Sequence, residues 1–503
     1  MIKSKSALRL CAFALIICPF VAALPIQDIG GTLAFQGQDI VGGAAIIFKP
    51  AKRVRDFAGN TAAMLAAKRP SRPARPAEVA RNNVTDRNGP PTQPATADVT
   101  TTTTAAETRA ESFEEQANAH YDRGEFKQAV EAYQNAVKQD PQDAFIYNNL
   151  GASLYRAGRY QEATEAFQNA VRLTPNDADA LNNLGAVYYV LEQYDLALDS
   201  FQKATAAKPD SADVQYNLGN AYYMSGRNRE AATAYRNAIE LNPNYVEAKI
   251  NLGSLLISSD PRGATSQLLG ALELQRNNAV AYNNLGYAYV KIAETLDQAN
   301  AVQYLRQAVE AYKEALRLKP DYVKAMNNLG AAYNKLGQYQ EAADLLVRAT
   351  RAKPDFPEAH YNLGTALYNR GEFKAAVTEF QQAVRLRQDY ADAYNSLGSA
   401  LYKDQQFEAA VEAYKKTLAL KPANAETNNN LGTVYFRTKR YKEAAATFKE
   451  AIRIKPDYGE AHFNLALAYV ALNDRKAALD QYNRLKKLDP KLADDFFQRY
   501  MKK

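Results

Sequence analysis

One dipeptide returns along this chain at a nearly fixed interval. Leu-Gly stands at Leu150-Gly151, Leu184-Gly185, Leu218-Gly219 and Leu252-Gly253, each 34 residues after the last. The next copies fall 33 and 44 residues on, at Leu285-Gly286 and Leu329-Gly330. The 34-residue period then resumes at Leu363-Gly364, Leu397-Gly398, Leu431-Gly432 and Leu465-Ala466. Gln116-Ala117 fills the slot in a degenerate first copy, giving eleven copies over 110–492. A unit this short cannot bury both of its faces alone, so neighbouring copies must stack and share a core.

The stretch 144–177 shows how each copy folds. Tyr147, Leu150, Gly151 and Leu154 recur at helical spacing on one face. Gly158 supplies the left-handed residue that ends this first helix. Ala163, Phe167 and Ala170 line a second helix, with Pro175 beyond its end. Small residues at Gly151 and Ala163 let the two helices approach, and Phe167 fills the gap. The prediction is an all-α solenoid of eleven helix pairs, closed by a capping helix at 493–503 that carries Phe496, Phe497 and Tyr500. Two copies depart from the pattern. The fifth is one residue short around Ile257–Gly263, and the sixth carries ten extra residues near 294–303 that lengthen its helices. These irregularities predict either a kink between a front and a rear half or a tolerated insertion, since lengthening a surface connection costs little.

This spacing resembles the tetratricopeptide repeat family over about three-quarters of the chain. The resemblance implies a right-handed superhelix whose concave groove, lined by the first helices, binds peptide segments or partner proteins. An asparagine precedes nearly every Leu-Gly pair: Asn149, Asn183, Asn217, Asn251, Asn284, Asn328, Asn362, Asn430 and Asn464, with Ser396 the exception. The repeats of O-linked N-acetylglucosamine transferases are similar in this row, where such amides hold peptide backbone. An amide both donates and accepts, and a polar row adds nothing evident to packing, so the row reads as a peptide-binding groove. The rings Tyr121, Tyr155, Tyr189, Tyr223, Tyr368, Tyr402 and Phe436 beside it read as packing against the next helix. The family's carboxylate clamp needs lysine just ahead of the groove asparagine, and no copy has one.

Composition removes other classes. Both cysteines, Cys11 and Cys18, lie in the first twenty residues, so the body holds no disulfide, thiolate metal site or cysteine nucleophile. The three histidines are scattered, and no phosphate loop or serine elbow occurs. His360 and His462 sit where other copies carry tyrosine and read as packing residues. No catalytic residue, cofactor or metal is expected.

The net charge of +7 is local. Residues 49–88 hold ten Lys/Arg against three Asp/Glu, whereas 89–503 sum to −1, which excludes a uniformly basic nucleic-acid-binding body. Lys3, Lys5 and Arg9, the apolar run Leu10–Leu24 and the small residues Val21-Ala22-Ala23 read as a signal peptide over 1–23. An uncleaved anchor is the alternative. Two short strands are predicted in 24–48, a piece that needs a partner to be stable. Residues 49–109, rich in basic residues, Pro and Thr, read as a disordered linker, a spacer or a weak contact for anionic polymer or lipid. The resulting expectation is an exported, periplasmic or envelope-associated, non-catalytic scaffold for protein partners. Its alternatives are a substrate-delivering accessory of a separate glycosyltransferase, or an envelope tether.

Overall fold

The computed structural model describes residues 113–501. The expectations for 1–23, 24–48 and 49–109 lie outside them. Within the described residues every element is helical. Contacts divide the chain into two units between Asn284 and Leu285, inside one helix.

The front unit opens with α1 over 113–122. It continues through α2 (Phe126–Gln139), α3 (Ala144–Arg156), α4 (Tyr160–Leu173), α5 (Ala178–Val190) and α6 (Tyr194–Ala207). Next come α7 (Ala212–Met224), α8 (Asn228–Leu241), α9 (Val246–Leu256), α10 (Pro261–Leu274) and the first part of α11 (Ala279–Ala293). The rear unit holds the rest of α11, then α12 (Gln298–Leu318), α13 (Val323–Lys335), α14 (Tyr339–Ala352), α15 (Pro357–Asn369) and α16 (Phe373–Leu386). It closes with α17 (Ala391–Lys403), α18 (Phe407–Leu420), α19 (Ala425–Arg437), α20 (Tyr441–Ile454), α21 (Gly459–Ala471), α22 (Arg475–Leu488) and α23 (Pro490–Phe496), which runs into a π turn at Phe497–Met501. Odd-numbered helices up to α21 are the first members of pairs, and even-numbered ones the second.

The Leu-Gly signal has a steric origin. A Cβ placed on Gly151 would lie 2.7 Å from the Phe167 ring, and one on Gly364 would lie 2.8 Å from Phe380. Those rings are completely buried or nearly so, so glycine sets how closely the two helices of a pair approach. In every pair but the fifth and sixth, the turn after the first helix holds a left-handed residue. Gly158 supplies it at φ 78°, whereas Glu192, Gln405, Lys439 and Asn473 adopt it without being glycine, at a cost of about 1 kcal/mol each.

The irregular copies are absorbed within helices. α9 is shortened to 11 residues, and Asp260 caps α10 by accepting from Gly263 N, with Pro261 at the first turn. The sixth copy spends its extra residues on a 15-residue α11 and a 21-residue α12. At the end of the rear unit, Phe496 of α23 packs edge-on against Phe463 at 5.7 Å and near Tyr482, covering Leu485.

Where neighbouring pairs meet, first helix touches first helix, as α3 does α5 and α15 does α17. Second helices do not meet one another to that extent. Within each unit the first helices of such neighbouring pairs therefore lie side by side.

Candidate functional site

The nine asparagines all fall on these first helices, and every one is buried, with 0–7% of its surface exposed. Their amides tie one pair to the next. Asn183 Nδ2 donates to Asn148 Oδ1 at 3.0 Å, Asn217 to Asn182 at 2.8 Å, Asn362 to Asn327 at 2.8 Å and Asn464 to Asn429 at 3.0 Å. Each donor sits 35 residues after its acceptor, so the acceptor is the residue just ahead of the preceding copy's own asparagine. Where that residue is Tyr216 or Ile250, a polar group one helical turn further on takes part. Asn251 donates to Asn220 Oδ1 as well as to the Tyr216 hydroxyl, both at 3.3 Å, and Asn284 donates to Ser254 Oγ at 2.7 Å.

The view that these amides add nothing to packing is thereby corrected. A buried amide needs partners, and the neighbouring pair provides them. Asn149, Asn328 and Asn430 share the register and the burial. Sequence reasoning found the row and missed the bonds. The available signal was the asparagine doublet (Asn148-Asn149, Asn182-Asn183, Asn327-Asn328) and the shift to Asn220 or Ser254 where the doublet is broken.

Six rings of the aromatic row clasp the turn inside their own pair. Tyr155 meets Tyr160 edge-on at 5.3 Å, Tyr189 meets Tyr194 at 5.7 Å and Tyr368 meets Phe373 at 5.3 Å. Tyr121, Tyr402 and Phe436 do the same with Phe126, Phe407 and Tyr441. Each ring packs against the first or second residue of the next helix, and the edge-to-face geometry is the favourable one. Burial pushes Tyr121 and Tyr368 up to about 12, so these hydroxyls stay protonated at neutral pH.

His360 and His462 are structural. The Nε2 of His360 lies 3.0 Å from the Pro354 carbonyl oxygen and its Nδ1 lies 2.7 Å from Glu379 Oε2. Both neighbours accept, so the doubly protonated imidazolium satisfies both. Burial pushes the group down, but the Glu379 bond and the Pro354 carbonyl outweigh it, leaving the histidine above its ordinary value. Arg385 opposes this weakly. A raised folded value stabilises below the unfolded pKa near 6.5 and loses that contribution as pH rises through the folded value. His360→Gln should therefore lower the melting temperature more at pH 5.5 than at pH 8.5; an equal loss at both would show that the charge contributes nothing. His462 repeats the register with Gln481 at 2.8 Å and the Pro456 carbonyl at 3.0 Å. Among the described residues no group of three or more His, Asp or Glu is placed to hold a metal ion.

Models of the tetratricopeptide repeat match residues 114–178, 148–212, 395–459 and 429–493, with further repeat models on 212–245 and across 305–405. The chain belongs to the tetratricopeptide repeat family. Among curated relatives, this repeat protein is 36% identical over 77 residues to a peroxisomal targeting signal receptor of Candida albicans and 35% identical over 79 residues to that of Kluyveromyces lactis. The matches cover 15% and 16% of this chain and span only 11% and 12% of those relatives' lengths. Among solved structures it is similar to YrrB, described as a tetratricopeptide repeat protein with an unusual peptide-binding site, at 28% identity. That match covers 39% of this chain and 97% of YrrB, with a TM-score of 0.34. It is also similar to MamA at 29% identity, covering 33% of this chain and 96% of MamA, with a TM-score of 0.30.

The near-neutrality of the repeat protein's body is an average of two unlike halves. Residues 113–284 carry 14 Lys/Arg against 21 Asp/Glu, whereas 285–501 carry 32 against 26. The front unit is therefore acidic and the rear unit basic. Part of the difference is locked to the register. The residue capping the second helix is Lys319, Lys353, Arg387, Lys421 and Lys455 in the first five rear pairs and Asp489 in the last. In the front unit it is Asp140, Thr174, Lys208, Asn242 and Gln275. Two of the rear capping cations meet carboxylates at the start of the same pair, Arg387 meeting Glu358 and Lys421 meeting Asp392 at 2.7 Å. They also complement the negative helix ends. The front unit has one such cation in five pairs.

Proposed function

We propose that the protein is a non-catalytic scaffold that holds partner proteins or peptide segments along the inner face of its first helices. The observation that carries this is the amide ladder together with the turn clasp. They fix the spacing and orientation of successive first helices, so an extended chain laid across them meets a regular row. Half-buried side chains there, such as Tyr223, Met224, Tyr368 and Lys403, offer apolar and polar contact. YrrB, described as having a peptide-binding site, supports a peptide as the ligand class.

Export belongs to the same proposal and rests on the sequence pattern of residues 1–23. Delivery of substrate to a separate glycosyltransferase is a narrower version, supported by the asparagine row alone.

The test is site-specific photo-cross-linking of the full chain in cells. A photoreactive residue replaces Met224 or Lys403 on the first helices, or the exposed Glu240 or Lys416 on the second helices. The proposal expects defined partners from the first pair of sites and at least several-fold fewer from the second. Equal capture from both, or none from Met224 and Lys403, would overturn it.

A further inference from the structure

The residue five places after each Leu-Gly glycine stands at or near the end of a first helix. In the rear unit that register carries Lys291, Lys335, Asn369, Lys403, Arg437 and, counted from Ala466, Ala471. Neighbouring first helices are therefore both cationic at this register only twice, at α11 with α13 and at α17 with α19. In the front unit no two neighbouring copies carry cations there. The first of these two gaps is filled. Glu294, one of the residues added in the sixth copy, lies between the lysines, with Lys291 Nζ 2.9 Å from its Oε2 and Lys335 Nζ 3.3 Å from its Oε1. One carboxylate thus spans two cations of this register, one oxygen to each. The three side chains are 25–30% exposed, so the bridge is partly withdrawn from solvent.

The second gap has the cations without the carboxylate. α17 and α19 touch directly, and Lys403 and Arg437 are their last residues, one half-buried and one exposed. Among the described residues no ion pair engages either cation. The nearest acidic residues along the chain are taken up elsewhere. Asp404 accepts from Gln406 Nε2 at 2.6 Å, and Glu443 pairs with Arg440 at 2.9 Å. Lys439 adds a further cation two residues after Arg437. We propose that the gap between Lys403 and Arg437 is a binding site for an acidic side chain of the segment that the scaffold holds. This deepens the scaffold function and rests on it. The incoming carboxylate sits as Glu294 does between its lysines, one oxygen on Lys403 Nζ and the other on the Arg437 guanidinium. Both contacts are charge-assisted hydrogen bonds, the stronger kind, and the carboxylate relieves the repulsion between two cations held in one register.

Fluorescence anisotropy of the full chain tests this, with a fluorescein-labelled, C-terminally amidated peptide of alternating serine and glutamate. An extended chain of that pattern puts every carboxylate on one face, so one reaches the gap in any frame. It should bind at least about tenfold more tightly than its glutamine counterpart. The double variant Lys403→Gln, Arg437→Gln should erase that preference. The proposal is overturned if the two peptides bind wild type alike, or if the double variant keeps the preference. The cations also complement the negative ends of α17 and α19. If that is their whole role, the double variant melts at a lower temperature and still prefers the acidic peptide, which overturns the proposal equally. Acidic binding that requires a free C-terminus would assign the gap to a chain end, and the side-chain site would fall. Partners captured by photo-cross-linking from Met224, together with peptides bound alike, would remove this site and leave the scaffold function standing. No capture from either Met224 or Lys403 would remove both.

Discussion

Phe380→Ala should destabilise the rear unit by about 3–5 kcal/mol. The ring is fully buried, and it is the body against which Gly364 closes, with only 2.8 Å to where a Cβ would stand. Removing it leaves a void at the centre of the α15–α16 pair that the flanking Ala376 and Ala383, themselves fully buried, cannot fill. The reverse change is also costly, because Gly364→Val would force its branches into the ring and overpack the same contact, at about 1–3 kcal/mol or more. Urea titration followed by circular dichroism measures both. Because each pair contacts only its neighbours, the loss should appear as early melting of part of the helical signal rather than a uniform shift. A loss below about 1 kcal/mol for Phe380→Ala would show that the aromatic and its glycine are not the joint that sets the spacing within a pair.

Asn217→Ala should cost about 1–3 kcal/mol, although it removes only a small side chain. Asn217 is 2% exposed and its N–H is the one Asn182 Oδ1 accepts, at 2.8 Å. Truncation leaves the Asn182 oxygen desolvated without that donor, and an orphaned acceptor is worth more than the bond's small net contribution. The double variant Asn182→Ala, Asn217→Ala should recover part of the loss, since it removes both halves of the pair. A double-mutant cycle should therefore show coupling of about 1 kcal/mol. Zero coupling, with each single change near neutral, would return the row to a purely ligand-facing role. Alanine scanning of this row for partner binding therefore needs a stability measurement beside it. Serine is the gentler replacement, because the ninth copy itself carries Ser396 there.

The helix pairs were legible because their signals are local and repeated. Gly151 with Phe167, and Pro175 beyond the helix end, state a close approach and a stop within one copy, and the copies repeat the statement. The amide row was equally visible, but its role was not. Asn183 reads the same whether it faces a peptide or Asn148, since the two residues meet only when one pair is laid on another at a particular offset. The aromatic row was easier, because Tyr155 and Tyr160 lie close enough in sequence for helical geometry to bring them together.

The sequence by itself determined the unit, its period, its all-α character and the two irregular copies, because steric fit within a 34-residue unit depends on neighbours a few turns away. It also determined the family, through the same spacing. Only the tertiary structure decided that the asparagines are buried and bonded between pairs. It alone showed that the sixth copy's extra residues extend helices rather than form a loop. It also showed that an open hollow lies between α4 and α6. Those outcomes depend on stacking between copies, where the register of one helix against another, and not the order of residues along either, places the partners.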